Sequence, residues 1–243
     1  MNIVLTNDDG INSIGLKKLE IVLKKYGNVF VVAPSTQQSA KGCATTAFLG
    51  LKATKIDNNH IAVDGTPVDC VEVACALLNK QIDLIVSGCN NGHNLGIDIM
   101  YSGTCGACFQ ASLAKVPSIA FSCKNSDYFD LIEVLVPQVL DYIFNNNLLN
   151  ESYYLNVNLP TTKQISGIKL TKILAPVYEE YFPVSFTSFD DTIIIDRKRL
   201  ISSKDSIYDE VAVENGYISV TPLSQNLYKE ELFNLISNKI DKK

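Results

Sequence analysis

The chain has 243 residues, of which 47% are hydrophobic and 19% charged, and its formal net charge is −5 at pH 7. Such a length predicts one α/β domain over residues 1–243, and the composition supplies a sizeable core and excludes an intrinsically disordered chain. The acidic balance excludes the basic surface that a nucleic-acid polymer requires; a small phosphorylated ligand fits it where a metal neutralises the phosphate.

Ile3-Val4-Leu5 is a short apolar run ended by Asn7-Asp8-Asp9-Gly10, the pattern of a buried strand entering a loop. Leu16, Leu19, Leu23 and Tyr26 then recur at helical spacing. Val29 to Ala33 predicts a second buried strand, stopped by Pro34 and followed by a polar loop to about Thr45. Val68 to Leu78 predicts a helix, Leu84 to Ser87 a third strand, and Gly88 to Gly96 a Gly/Asn-rich loop. Gly103 to Ala114 predicts a helix of small residues, Pro117 to Phe121 a fourth strand, and Tyr128 to Phe144 another helix. This alternation predicts a parallel sheet covered by helices on both faces. The ligand site of such a sheet lies beyond the carboxyl ends of its strands, where the loops after the first three strands should converge.

From about Asn150 the texture changes. Asn156-Val157-Asn158 and Ile168 to Ile173 are strand-like, and Tyr178 to Arg199 is rich in Tyr, Phe, Thr and Ile, as in an extended hairpin arm. Tyr217 to Leu223 predicts a late strand, and Leu227, Leu232, Leu235 and Ile236 a short amphipathic terminal helix. No basic segment precedes an apolar stretch at the start, and no apolar run approaches the roughly 18 residues of a membrane span. Seven cysteines, an odd number, point to reduced thiols and a cytoplasmic location.

Asp8 and Asp9 directly follow the first strand. Two adjacent carboxylates are costly unless a cation lies between them, and oxygen donors favour Mg²⁺, Mn²⁺ or Ca²⁺. Asn-Asp-Asp-Gly is equally good turn chemistry, so the motif alone admits both readings. In the loop after the third strand, Gly88, Gly92 and Gly96 allow close backbone approach, and Asn90 and Asn94 offer neutral polar groups. Ser102-Gly103-Thr104 opens a helix whose N-terminal amides and hydroxyls can cap it, bind an anion, or both. Ser39 acquires interest because its loop should meet the other two. Cys105-Gly106-Ala107-Cys108 is a CxxC, but its place inside a crossover and the lack of partner ligands favour plain packing. His93 is either an assistant to the chemistry or a solvated loop residue, and no G-x-S-x-G elbow supports a Ser-His-Asp hydrolase.

These motifs resemble the stationary-phase survival protein SurE family of metal-dependent 5′-nucleotidases. The matching stretches are Ile3 to Ile11, Val32-Ala33-Pro34 with Gln38-Ser39, Gly65 to Val71, Val86 to Thr104, and Gly216 to Leu223, with Asp209 and Ala212 ahead of the last. The resemblance implies a Rossmann-like core with a C-terminal arm, here about residues 176–199, exchanged between subunits to give homodimers or homotetramers. It implies one divalent metal per subunit, Mg²⁺ or Mn²⁺, on Asp8, Asp9, Ser39 and Asn90. It implies a phosphate site at Asn94, Ser102, Gly103 and Thr104, and nucleoside 5′-monophosphates as substrates, with 3′-monophosphates and short polyphosphate as further ones. Cys89, His93, Cys105, Cys108 and Gln110 depart from the residues usual in the family, none at a ligand position. Asp8 is the candidate for orienting or deprotonating an attacking water, and Asp9 shares the catalytic assignment. Direct attack by an aspartate is disfavoured, since the enzymes that use it carry D-x-D rather than an adjacent pair. A nucleotide sensor without turnover is the competing class.

Overall fold

The computed structural model describes residues 1–46, 48, 50–78, 82–174, 177–180, 198–200, 203–226 and 228–240. Among them, nine strands form one mixed, mostly parallel sheet in the order β3-β4-β2-β1-β5-β6-β7-β11-β8. Its centre is β1 (Asn2–Thr6), flanked in parallel by β2 (Asn28–Pro34) and β5 (Leu84–Asn91). On one side β4 (His60–Val63) continues the parallel run, and β3 (Ala53–Lys55) closes that edge antiparallel. On the other side β6 (Ser118–Cys123) and β7 (Tyr153–Asn158) are parallel, and β11 (Tyr217–Ser224) runs antiparallel to β7 and parallel to β8 (Gly167–Leu170).

Alternation along the central strands builds the layers. Ile3, Leu5, Val31, Leu84 and Val86 turn to one face and pack with Leu16, Leu19 and Leu23 of α1 (Ile14–Leu23) and with Leu135 and Val139 of α4 (Ile132–Asn145). Val4, Val32 and Ile85 turn to the other face and meet Val71 and Ala74 of α2 (Pro67–Leu77) and Ala107 and Ala111 of α3 (Gly103–Leu113). Each large buried side chain contributes about 1.5–3 kcal/mol, so this doubly covered sheet forms a rigid platform for the loops above it.

The helices start where the sequence supplies caps. Ser13 and Ser102 cap α1 and α3 through their hydroxyls, and Thr66 and Asp69 form a reciprocal capping box on α2, with Pro67 at its first position. β2 lies on one side of β1 and β5 on the other, so the chain reverses its direction of travel across the sheet between β1 and β5. In doubly wound sheets such a reversal is where a ligand crevice lies, at the carboxyl ends of the strands.

Three features depart from the sequence reading. The hairpin of β3 and β4 was not anticipated. The third strand extends to Asn91, and its register against β6 slips between Ser87 and Asn90, a bulge of the kind that re-aims a side chain. A 3₁₀ segment, Ser126–Leu131, precedes α4. Of the arm, β9 (Val177–Glu180) pairs antiparallel with β10 (Lys198–Leu200), as expected of a hairpin base. Tyr181, Phe182, Val184, Phe186, Phe189 and Ile193 to Ile195 lie outside the described residues. The short α5 (Asp209–Glu214) precedes β11, and the terminal helix is α6 (Glu230–Ile240). No helix among the described residues is long and apolar enough to cross a membrane.

Candidate active site

The loop after β1 is built by Asn7. Its Nδ2 donates to Gly10 O (3.1 Å) and Ser13 Oγ (2.7 Å), and its Oδ1 accepts from Gly10 N (3.2 Å). Ser13 in turn caps α1 by accepting from Leu16 N. The turn is therefore made by Asn7 and Gly10, and the carboxylates of Asp8 and Asp9 are free of it. The two readings of this motif are compatible.

Asp8 is only 3% exposed. Burial, reinforced by the neighbouring Asp9 charge, pushes its pKa up to about 6 despite hydrogen bonds from Thr104. Thr104 Oγ1 donates to Asp8 Oδ1 at 2.6 Å. Burial also raises Asp9, partly offset by the Asn91 N–H that donates to its Oδ2 at 3.1 Å. Among the described residues no ion pair involves either carboxylate.

The second and third loops reach the same place through the residues beside the expected ligands. Gln38 N donates to Asp8 O at 2.7 Å, which brings the β2 loop and its exposed Ser39 against the carboxylate turn. Asn91 N on Asp9 does the same for Asn90 at the end of β5. The Asn90 Nδ2 donates to Gly92 O at 2.9 Å, which orients the amide and leaves its Oδ1 as the donor oxygen of that side chain. Two carboxylates, a hydroxyl and an amide oxygen are all hard donors, suited to a divalent cation. Among the described residues no cluster of three or more His, Cys, Asp or Glu side chains offers an alternative metal site.

The expected phosphate residues divide. A Cβ on Gly103 would lie 2.9 Å from Asp8 Cβ, so only glycine lets α3 start this close to the carboxylate. Thr104, fully buried, points its hydroxyl at Asp8. Ser102 Oγ accepts from Cys105 N at 3.1 Å, the cap reading, and its own proton remains to donate. Asn94 is built into an amide network: its Nδ2 donates to Ser122 Oγ (2.8 Å), its N to Asn158 Oδ1 (2.9 Å), and its O accepts from Asn156 and Asn158. Cys105 Sγ, 3.7 Å from Asn156 Oδ1, joins that network to the start of α3.

A family model described as "Survival protein SurE" matches residues 3–180. The chain belongs to the SurE family. The 5′/3′-nucleotidase SurE of Wigglesworthia glossinidia brevipalpis is 38% identical over 248 residues, covering 98% of this chain and 97% of that protein. The 5′-nucleotidase SurE of Thermosipho africanus is 36% identical over 259 residues, with 100% and 99% covered. Among solved structures, the SurE protein of Aquifex aeolicus superimposes with a TM-score of 0.87 at 35% identity, covering 98% of this chain and 99% of that one.

Within this SurE fold, several residues have positioning contacts that the sequence reading did not assign to them. Asn156 and Asn158 read only as strand residues, yet both donate to the carbonyl of Asn94 from β7. Asp209 is fully buried: its Oδ2 accepts from Gly96 N (2.8 Å), and its Oδ1 from Leu174 N (3.2 Å) and Glu210 N (2.9 Å). It thereby ties the loop after β5 to the segment leading to β9. Polar residues inside a strand otherwise alternating or apolar were the available signal, because a buried amide must find partners. His93 makes a 2.8 Å contact from Nε2 to Leu159 O, and burial lowers its pKa, so it anchors this loop as a neutral ring. Cys105 and Cys108 are buried free thiols, Cys105 pushed up to about 12 and Cys108 well above its usual value by burial, as plain packing requires.

Proposed function

We propose that this chain is a metal-dependent 5′-nucleotidase that hydrolyses nucleoside 5′-monophosphates to nucleoside and phosphate. The observation that carries the reading is the adjacent pair of buried Asp8 and half-buried Asp9, both with raised pKa and neither in an ion pair among the described residues. A cation relieves that repulsion, and Asp8, Asp9, Ser39 and Asn90 are the residues that would hold it. When bound, Mg²⁺ or Mn²⁺ would neutralise phosphoryl charge and lower the pKa of water. The names of the relatives supply the substrate class, and the 5′/3′-nucleotidase among them supports 3′-monophosphates as further substrates. Short polyphosphate rests on the family resemblance alone.

The chain's own side chains would do the following. Asp8, held at Oδ1 by Thr104, would orient the attacking water through Oδ2 and accept its proton. Ser102, Gly103 and Asn94 would position the phosphate at the start of α3, where N-terminal amides favour an anion. Thr104, also expected at the phosphate, would act on Asp8 through its hydroxyl. Phosphoryl transfer needs mainly such positioning and charge neutralisation. The network of Asn94, Asn156, Asn158 and Asp209 would keep the phosphate loop in register.

The same reading takes residues 1–243 as one domain whose arm, about residues 176–199, associates with further copies as a homodimer or homotetramer. Leu232, Phe233, Leu235 and Ile236 of α6 support it, each at least half exposed. Seven free thiols support a cytoplasmic location. Phosphate release from AMP with Mg²⁺ or Mn²⁺ tests the activity. Turnover should vanish in excess EDTA and fall to near background in Asp8→Asn and Asp9→Asn; full activity in any of these three conditions would sink the reading.

A further inference from the structure

A cavity of about 390 Å³ lies over the carboxyl ends of β2 and β4. Its polar groups are the hydroxyls of Ser35, Thr36, Thr46 and Thr66, the amide of Gln38 and the carboxylate of Asp64, set among apolar surface and Gly65. The back wall is fixed. Asp69 accepts from Thr45 Oγ1, Thr46 N, Thr46 Oγ1 and Thr66 N, all between 2.6 and 3.2 Å, which clamps the loop around Thr46 to the start of α2. Asp64 is less committed: its side chain is 52% exposed, with Lys52 Nζ at 3.9 Å.

The cavity adjoins the carboxylate site. Gln38, in its lining, donates its backbone N–H to Asp8 O. Pro67, next to Thr66, lies 3.1 Å from the Cβ position of Gly103, which itself abuts Asp8. β2 neighbours β1 and β4 neighbours β2, so at about 4.8 Å per strand the cavity sits roughly 5–10 Å from Asp8. That matches the reach from a phosphate to the hydroxyls of the sugar that carries it. Among the described residues the lining holds hydroxyls, an amide and a carboxylate and no Lys, Arg or His, with Lys52 reaching only the exposed side of Asp64, and this donor set suits a polyol. An acidic side chain reads ribose in this way in dinucleotide-binding folds.

Building on the nucleotidase reading, we propose that this cavity is the ribose subsite and that Asp64 accepts hydrogen bonds from the sugar hydroxyls. The test uses p-nitrophenyl phosphate, a substrate without a sugar, with adenosine and 2′,3′-dideoxyadenosine as competitive inhibitors of the intact protein. Adenosine should inhibit about tenfold more tightly, and Asp64→Ala should erase that difference while leaving p-nitrophenyl phosphate turnover within about twofold. Thr36→Val should narrow the same difference, which keeps the test decisive if the Asp64 variant folds poorly. Equal inhibition by the two nucleosides, or an Asp64→Ala loss of equal size on p-nitrophenyl phosphate and AMP, overturns the subsite. Hydrolysis of p-nitrophenyl phosphate without hydrolysis of AMP overturns the nucleotidase reading itself.

Discussion

Thr104 Oγ1 lies 2.6 Å from Asp8 Oδ1 and donates its proton to it, with both residues buried. A hydroxyl so committed cannot also donate to a phosphate. The first turn of α3 therefore serves the carboxylate pair as well as any anion, and the two halves of the site are coupled through one hydrogen bond.

Thr104→Val should cost about 1.5–3 kcal/mol, a tenfold or larger loss, because a buried carboxylate loses a charge-assisted donor. The loss should appear as weaker activation by metal, with Thr104→Ser retaining most activity. Titrating activity against Mn²⁺ checks this. A raised KM at unchanged metal affinity would show instead that Thr104 touches phosphate directly.

Asp209 accepts three backbone N–H groups inside the protein. Asp209→Ala leaves those donors without their acceptor at about 1–3 kcal/mol each. Urea unfolding should show a loss of at least about 2 kcal/mol, and KM for AMP should rise as the Gly96 loop loosens. An unchanged unfolding midpoint would refute this role.

His60 supplies a pH dependence. Burial alone would lower its pKa, but Asp57 at 2.9 Å and Glu20 at 3.2 Å outweigh burial and raise it. A raised folded pKa means that this stabilisation is fully present below the unfolded value of about 6.5 and is lost as pH rises through the folded one. The stability difference between the native chain and His60→Gln should thus be largest in mild acid and shrink on the alkaline side. Thermal melts across that range check it, and a gap that widens with pH would reverse the sign.

Residues 178–195 are expected to hold copies of the chain together. Replacing them with a short Gly/Ser link should yield monomers or misfolded protein, and the intact chain should scatter light as a dimer or larger at micromolar concentration. A well-behaved intact monomer would rule the arm out.

Much of this molecule was legible in the order of residues. Apolar runs such as Ile3-Val4-Leu5 and Leu84-Ile85-Val86 are long enough in register to be buried on both faces, so strand identity and a parallel sheet follow from local pattern. Asp8 and Asp9 stood out because adjacent carboxylates after a strand demand an explanation. Other features depend on partners far away in the chain. Nothing local tells Asn156 and Asn158 that they will hold Asn94, or that Thr104 will meet Asp8 across 96 residues. The β3–β4 hairpin is short and largely exposed, so its apolar signal was faint, yet its pairing with β2 builds the cavity beside the site. Periodicity and turn chemistry are properties of neighbours and can be read from sequence, whereas the assignment of a buried donor to its acceptor is settled only when the sheet brings the strand ends together.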